Sequence, residues 1–316
     1  MLFFQFLLKN FSLTDFKFIV HKIQNLCYNK CCSQRNSSAA VGKSDFNLQK
    51  GRNIMSNKKA VLVTSFGTSH LDTLQKTIAA TEQAIAAALP DFTLRRAFTS
   101  TIIMRKLKRR DGLEIDDVTS ALSRLVEDGY TQVVIQPTHI LCGEEYEKLC
   151  ALTVPFLRKL TISMGTPLLQ TIDQHWDLAK VMMHLLPEAR EDEAILFMGH
   201  GSPHHANAAY ALLQYLVDDM GAKNMFIGTV EGCPTLEQVI RRMHEKPEIR
   251  KVTVLPLMVV AGDHASNDMA GDEEDSWKNI LIREGYEVNC LLKGLGEDPE
   301  IQALFAAHAA EAAEKL

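Results

Sequence analysis

The chain has 316 residues, of which 46% are hydrophobic and 23% charged, and its formal net charge is −5 at pH 7. This composition is typical of a globular protein with a sizeable core, and it lacks the basic excess of a dedicated nucleic-acid binder. No apolar run approaches the ~20 residues of a membrane-spanning helix, so we expect no membrane span.

Residues 1–54 differ in composition from the rest of the chain. They carry eight Lys or Arg against two acidic residues, and they show neither helical nor strand periodicity. They also lack the charged start and the small-residue cleavage site of a secretory signal. Codons for Gln49–Arg52 can form a purine stretch that resembles a ribosome-binding site. We therefore interpret 1–54 as a non-native or disordered extension and expect the natural start at Met55.

From Lys58 onward, strand and helix patterns alternate along the chain. Short β-branched runs predict strands at 59–65, 131–137, 194–198, 225–230 and 251–257, with weaker signals near 93–98, 167–170 and 286–292. Helical patterns cover 71–88, 115–128, 144–160, 205–219, 234–245, 273–284 and 299–315. This alternation predicts an α/β fold with parallel sheets, and strands that are apolar throughout indicate helices on both sheet faces.

Two segments of the first half resemble two segments of the second half, and we call each such internal similarity an echo. Ala60–Gly67 aligns with Ala194–Gly201, and Val133–Gly143 aligns with Val252–Gly262, each pair being a strand followed by a glycine-containing turn. Two regions that merely share the same alternation of strands and helices could show the same similarity. The more natural interpretation is two similar α/β lobes, each a parallel sheet flanked by helices, and the boundaries that we predict for them are 55–185 and 186–316.

Three side chains follow three strand runs of the second lobe. His200, Glu231 and His264 are separated by 31 and 33 residues, about one strand–helix repeat each. Because ligands of open α/β sheets bind beyond the carboxyl ends of the strands, we expect the three to converge at one rim. Two imidazoles and one carboxylate suit a divalent transition metal with open coordination positions.

Each of these residues also has a purely structural interpretation. A single strand-end His is more often a hydrogen-bonded structural residue, and Glu231 could serve as a helix N-terminal charge before Pro234. His139 lies in an apolar strand run of the first lobe, which favours a core or crevice-wall position. The basic run Arg105–Arg110 is typical of a solvated helix face, although it could also guide an anionic substrate.

Beyond these patterns, the sequence from about Lys58 to Ala312 resembles the anaerobic cobalt chelatases, class II chelatases that insert Co²⁺ into sirohydrochlorin in the oxygen-independent cobalamin pathway. The run Ala261–Met269 is the most specific of the shared segments. The others are Val63–Ser69, Arg96–Ser100, Arg105–Leu107, Gly143–Lys148, Met198–Gly201, His204–Ala206, Asp275–Lys278 and Gly294–Glu297.

The resemblance implies a bilobal chelatase fold with the tetrapyrrole bound in the crevice between the lobes. The family's metal-binding positions fall on His200, Glu231 and His264, and a further carboxylate falls on Glu145. We expect His200, His264 and Glu145 to act in catalysis by accepting the two pyrrole protons. His139 also has a counterpart in the family, with a less certain role.

The reaction implied is ATP-independent, with sirohydrochlorin and Co²⁺ as partners and with no cofactor or nucleotide beyond the substrate ion. Sirohydrochlorin carries many carboxylates, so Arg96, Arg105 and Lys106 are candidate substrate-binding residues at the cleft edge. Scattered cysteines without CxxC pairs favour a reducing, cytoplasmic location, although some family members are exported and bind haem. Homo-oligomer formation is left open.

Three alternatives stay open at this point. An iron chelatase for sirohydrochlorin would use the same ligands, because His and Glu do not separate Co²⁺ from Fe²⁺. A non-catalytic tetrapyrrole or metal carrier would use the same trio as a static site. A metal-dependent hydrolase also uses two His and a carboxylate, but it would usually need more ligands or a phosphate-binding loop.

Overall fold

Two parallel sheets organise the computed structural model, which describes residues 57–185 and 191–316. The first has the order β2-β1-β3-β4 and comprises β1 (Lys59–Ser65), β2 (Thr93–Phe98), β3 (Gln132–Pro137) and β4 (Thr161–Met164). The second has the order β6-β5-β7-β8 and comprises β5 (Glu193–Gly199), β6 (Met225–Thr229), β7 (Lys251–Pro256) and β8 (Glu287–Cys290). All neighbouring strands pair in parallel, which confirms the predicted fold class.

Helices connect the strands, as parallel pairing requires. In the first half they are α1 (Leu71–Leu74), α2 (Ala80–Ala88), α3 (Thr101–Asp111), α4 (Val118–Glu127), α5 (Glu144–Thr153) and α6 (Ile172–Leu185). In the second half they are α7 (Ala208–Asp219), α8 (Leu236–His244), α9 (Trp277–Arg283) and α10 (Pro299–Ala313). A π-helical turn, Gln75–Ala79, joins α1 to α2, and a second one occupies Ala265–Met269.

The predicted elements differ from the structure at a few places. The weak strand signal at 167–170 is wrong, because the fourth strand is Thr161–Met164 and the later segment makes only the isolated bridge between Leu141 and Leu169. The helix predicted to reach residue 160 ends at Thr153 and is followed by the short 3-10 turn Val154–Phe156, which contains Pro155. Helix α3 is not among the helices predicted from the sequence, although its basic run Arg105–Arg110 is typical of a helix face.

The two sequence echoes fall on equivalent strands. β1 and β5 occupy the same position in their sheets, as do β3 and β7. Gly67 and Gly201, at the end of the first echo, both adopt positive φ, +102° and +82°. The two halves are therefore similar in topology as well as in sequence pattern.

Alternate residues of the central strands enter different cores. Val61 and Val63 of β1 share one buried cluster with Ile195 and Phe197 of β5. The residues between them contribute to a separate cluster on the outer face of each sheet. Both faces of each sheet are thus buried, which explains the uninterrupted apolar strands.

The last helix connects the two halves. α10 packs against α2 and β3 of the first half, and its Ile301 and Phe305 are fully buried in the shared core. Lys58–Leu316 form one compact unit. Within the described residues, no helix is long and apolar enough to cross a membrane.

The predicted extension, 1–54, lies outside the described residues, as do 186–190 at the predicted lobe boundary. Those boundaries stay predictions.

Candidate metal centre

Three loops at the carboxyl ends of the second sheet bring His200, Glu231 and His264 together. One donor atom from each residue lies within 4.8 Å of the donors of the other two. The imidazole rings of His200 and His264 meet edge to face with centroids 4.6 Å apart, and His200 Nδ1 lies 3.9 Å from a Glu231 carboxylate oxygen. All three side chains are partly exposed, so an ion and its ligands can reach them.

Glycine at position 201 permits the close approach of two of these loops. Gly201 adopts φ +82°, and a Cβ there would lie 2.5 Å from the backbone nitrogen of Gly232. The loops are held in register because Glu231 N donates to His200 O at 2.8 Å and Val230 N donates to Gly199 O at 3.0 Å. A side chain at position 201 would therefore push the Glu231 loop away from His200.

The two imidazoles are oriented through their Nδ1 atoms. His200 Nδ1 lies 2.9 Å from the carbonyl oxygen of Gly201, and His264 Nδ1 lies 2.6 Å from Asp268 Oδ2. When Nδ1 carries the proton for such a bond, Nε2 of the same ring keeps a lone pair that can bind a metal. Two imidazoles oriented in this way beside one carboxylate form a donor set suited to a divalent ion.

The loop that carries His200 rests on a buried tyrosine. Tyr210 of α7 is almost fully buried, and a Cβ on Gly199 would lie 2.6 Å from its ring. Backbone hydrogen bonds join its hydroxyl to His200 and Gly201, while burial raises the pKa of Tyr210 to about 12. Tyr210 is therefore a neutral support for this loop at physiological pH.

The trio opens into a cavity of about 550 Å³ that is lined from both halves of the molecule. This volume lies within the range of small-molecule sites. Its first-half wall includes Phe66, His70, Ile103, His139 and Glu145, and its second-half wall includes His200, Tyr210, Glu231, Met258 and His264. At the edge of this cavity two histidine–carboxylate contacts join the halves, since His204 Nε2 lies 3.2 Å from Glu147 Oε1 and His70 Nε2 lies 3.4 Å from Asp263 Oδ1.

Two predicted residues lie in the first-half wall. Both ring nitrogens of His139 are shielded from solvent and have no hydrogen-bond partner among the described residues. Burial lowers the pKa of His139 to about 4, against a smaller opposing effect of the Glu145 charge. Glu145, in the first turn of α5, forms an ion pair with Lys148 at 3.3 Å. These two residues thus add a neutral imidazole and a carboxylate to the wall that faces the trio.

Comparison with known proteins places this chain in a family. The model of the family "Cobalt chelatase (CbiK)" matches residues 59–314. The chain belongs to this family. It is 44% identical over 253 residues to the sirohydrochlorin cobaltochelatase of Salmonella typhimurium, covering 79% of this chain and 95% of that protein. It is 31% identical over 255 residues to the sirohydrochlorin cobaltochelatase CbiKC of Nitratidesulfovibrio vulgaris, covering 79% and 89% respectively.

The fold is shared with a solved structure of Bacillus subtilis SirB with Fe³⁺. The TM-score is 0.57 at 16% sequence identity, and the match covers 82% of this chain and 97% of SirB. This similarity bears on the architecture, which is that of a chelatase fold with two parallel four-stranded sheets.

The structure does not bring the predicted basic residues to the trio. Arg96, on β2, forms two hydrogen bonds of 2.7 and 2.5 Å with Glu82, whose side chain is buried. Arg96 is thus committed to this ion pair and is absent from the cavity lining. Arg105 and Lys106 lie on the exposed face of α3, whose Ile103 does line the cavity.

Sequence reasoning missed Phe66 and Asp268. Phe66 lines the cavity while 53% exposed, which is unusual for a phenylalanine. The echo could have revealed it, because it aligns Phe66 with His200. Asp268 could have been found from its spacing, since a residue four positions after His264 lies on the same side of a helical turn.

Proposed function

We propose that this chain catalyses the ATP-independent insertion of Co²⁺ into sirohydrochlorin, with release of two protons, in anaerobic cobalamin biosynthesis. Its membership of the cobalt chelatase family and its 44% identity to a sirohydrochlorin cobaltochelatase support the reaction. The single observation that carries the mechanism is the convergence of His200, Glu231 and His264 on a cavity lined from both halves.

In this proposal the trio holds the incoming Co²⁺. Two imidazoles and one carboxylate occupy three positions of the ion and leave others open for water and then for pyrrole nitrogens. Binding a partly dehydrated ion beside the ring lowers the cost of desolvation during transfer. The carboxylate of Glu231 offsets part of the ion's charge, and the partial exposure of all three side chains lets the ion pass on to the ring.

Metallation also requires that two pyrrole N–H protons leave. Glu145 is the candidate acceptor on the wall that faces the trio, and its partly exposed carboxylate can pass the proton on to water. His200 and His264 are further candidate acceptors once the ion has left them. General base assistance of this kind contributes about 10²–10⁴-fold.

The ring is proposed to bind between the two walls with its carboxylates towards α3. Phe66 and Ile103 offer apolar surface for the macrocycle, and Arg105 and Lys106 lie on the exposed face of the same helix. Positive charge there attracts the anionic substrate over a distance of about 8–10 Å. His139 completes the wall as an uncharged substrate contact.

The proposal assigns Co²⁺ as the physiological ion and the cytoplasm as the location. The family supports cobalt as the ion. The donor set alone does not select it, because the affinity of such ligands for divalent ions depends mainly on the metal. The cysteines of the described residues are scattered along the sequence without CxxC pairs, which supports a reducing compartment.

The test is anaerobic absorbance of sirohydrochlorin mixed with Co²⁺, with and without the protein. We expect the protein to accelerate the spectral shift of metallation, and His200→Ala and His264→Ala to abolish the acceleration. A protein that binds the ring without accelerating metallation would instead be a carrier. Parallel reactions with Fe²⁺ measure metal preference, and faster metallation with Fe²⁺ would favour the sirohaem branch.

A further inference from the structure

The two imidazoles of the trio are held by different kinds of group. His200 Nδ1 faces a neutral acceptor, the carbonyl oxygen of Gly201, at 2.9 Å. His264 Nδ1 faces a carboxylate oxygen of Asp268 at 2.6 Å, which is short for a hydrogen bond, as expected for a charged acceptor. Asp268 lies outside the group of three converging donors, so its contact is with the histidine.

The local backbone explains why Asp268 reaches this ring. His264 is the N-cap of the π-helical turn Ala265–Met269, in which Ala270 N donates to Ala265 O at 3.2 Å. Directly after the turn, Gly271 N donates to Asn267 O, and a Cβ on Gly271 would collide with that oxygen. Single π-helical turns of this kind occur frequently at functional sites.

We propose that Asp268 is a positioning residue for metal capture: its carboxylate orients His264 by the Nδ1 hydrogen bond, so that Nε2 points at the ion. This inference rests on the proposed function and assigns one further residue to it. Without the bond, the half-exposed ring of His264 can rotate about its side-chain torsions. Metal binding then also costs the conformational entropy that is lost when the ring is fixed. Groups in such positions typically contribute 10- to 100-fold to metal affinity or activity.

The experiment compares Asp268→Ala and Asp268→Asn in the full chain. Asn keeps an oxygen that can accept the Nδ1 hydrogen bond, whereas Ala does not. Asp275→Asn is the matched control, because it removes the same charge from an exposed side chain of the same segment. Co²⁺ binding is measured directly from its visible absorption bands without sirohydrochlorin, and the KM values for Co²⁺ and for sirohydrochlorin are measured separately.

We expect Asp268→Ala to weaken Co²⁺ binding about tenfold and to raise the KM for Co²⁺ by a similar factor. The KM for sirohydrochlorin should change less than about twofold, because Asp268 contacts His264 and is not assigned any contact with the macrocycle. Asp268→Asn should recover a substantial part of the affinity, and Asp275→Asn should bind Co²⁺ as the wild type does.

Wild-type Co²⁺ affinity in Asp268→Ala would overturn the inference, as would an equal loss in Asp268→Asn or Asp275→Asn. A parallel rise of both KM values would also overturn it, since that result indicates a general disturbance of the cavity. These outcomes differ from failure of the proposed function, in which the wild-type protein would not accelerate metallation at all.

Discussion

The two halves share one strand order but carry different side chains at equivalent strand ends. The echoes align Phe66 with His200 and Glu145 with His264. Ser65 pairs with Phe98 as Gly199 pairs with Thr229, so that Ser100 in the first half corresponds to Glu231 in the second. The rim of the second sheet therefore has two imidazoles and a carboxylate, whereas the rim of the first has an aromatic ring, a hydroxyl and a carboxylate.

This difference teaches that the scaffold provides converging positions and that side-chain identity decides what they do. Ser100 of the first rim lies at the start of α3, where its hydroxyl accepts from Ile103 N. The first rim thus serves to form a wall and a helix start, while the second rim presents donors to the cavity. Substitutions that make one rim resemble the other directly test whether the second rim binds the metal and the first forms the opposite wall.

The largest effect is expected from His200→Phe, which gives the second rim the residue of the first. Removing one of three donors should abolish Co²⁺ binding and lower kcat/KM for metallation by at least about 100-fold, since it removes more than an orienting partner does. The measurement is anaerobic metallation with parallel Co²⁺ titration. Phe66→His is the reciprocal control and should create no second Co²⁺ site, because Ser100 and Glu145 do not complete a comparable set. Retained Co²⁺ binding in His200→Phe would contradict the metal-site assignment.

The next effect concerns the turn that brings two second-rim loops together. Gly201→Ala forces a side chain into positive φ and against Gly232 N, so the free energy of unfolding should fall by about 2–3 kcal/mol. Co²⁺ affinity should fall with it, because the His200 and Glu231 loops separate. The control is Gly112→Ala at φ +66°, where a Cβ meets nothing within 4 Å. It should cost only about 1–2 kcal/mol and leave metal binding unchanged. Denaturant unfolding of both variants checks the difference, and equal effects would refute the steric explanation.

The third prediction concerns His139, the residue of the cavity wall that the echo aligns with Met258. Its pKa of about 4 lies below the unfolded value near 6.5, so the unfolded chain binds more protons between these pH values. Stability should therefore fall as the pH is lowered from 6.5 towards 4. His139→Met should remove about 1–2 kcal/mol of that loss at pH 5. Unfolding curves at pH 7 and pH 5 provide the measurement, and an unchanged pH dependence in the variant would contradict the shift.

Much of this arrangement could be predicted from the sequence. The apolar strand runs and the echo predicted two parallel sheets, and the repeat spacing predicted that His200, Glu231 and His264 would lie close together. Contacts between distant segments that do not follow from the strand order could not be predicted. Arg96 pairs with Glu82 across the face of the sheet, and the sequence contains no periodic signal that links these two residues. The position of α10 on the first half is likewise decided by tertiary packing, since its Ala-rich sequence indicates a helix but not its partner.

The smallest expected effect concerns Phe66, the aromatic residue that replaces a donor at the first rim. If the macrocycle packs on this ring, Phe66→Ala removes apolar contact of about 1–1.5 kcal/mol, which corresponds to about a tenfold rise in the KM or Kd for sirohydrochlorin. Co²⁺ binding to the protein alone should not change, because Phe66 belongs to the opposite wall. Phe66→Leu keeps apolar area and should lie between the wild type and the Ala variant. Ring affinity is measured by absorbance titration without metal. A loss of Co²⁺ affinity with unchanged ring affinity would reverse the roles of the two rims, since it would place the ion, and not the macrocycle, against Phe66.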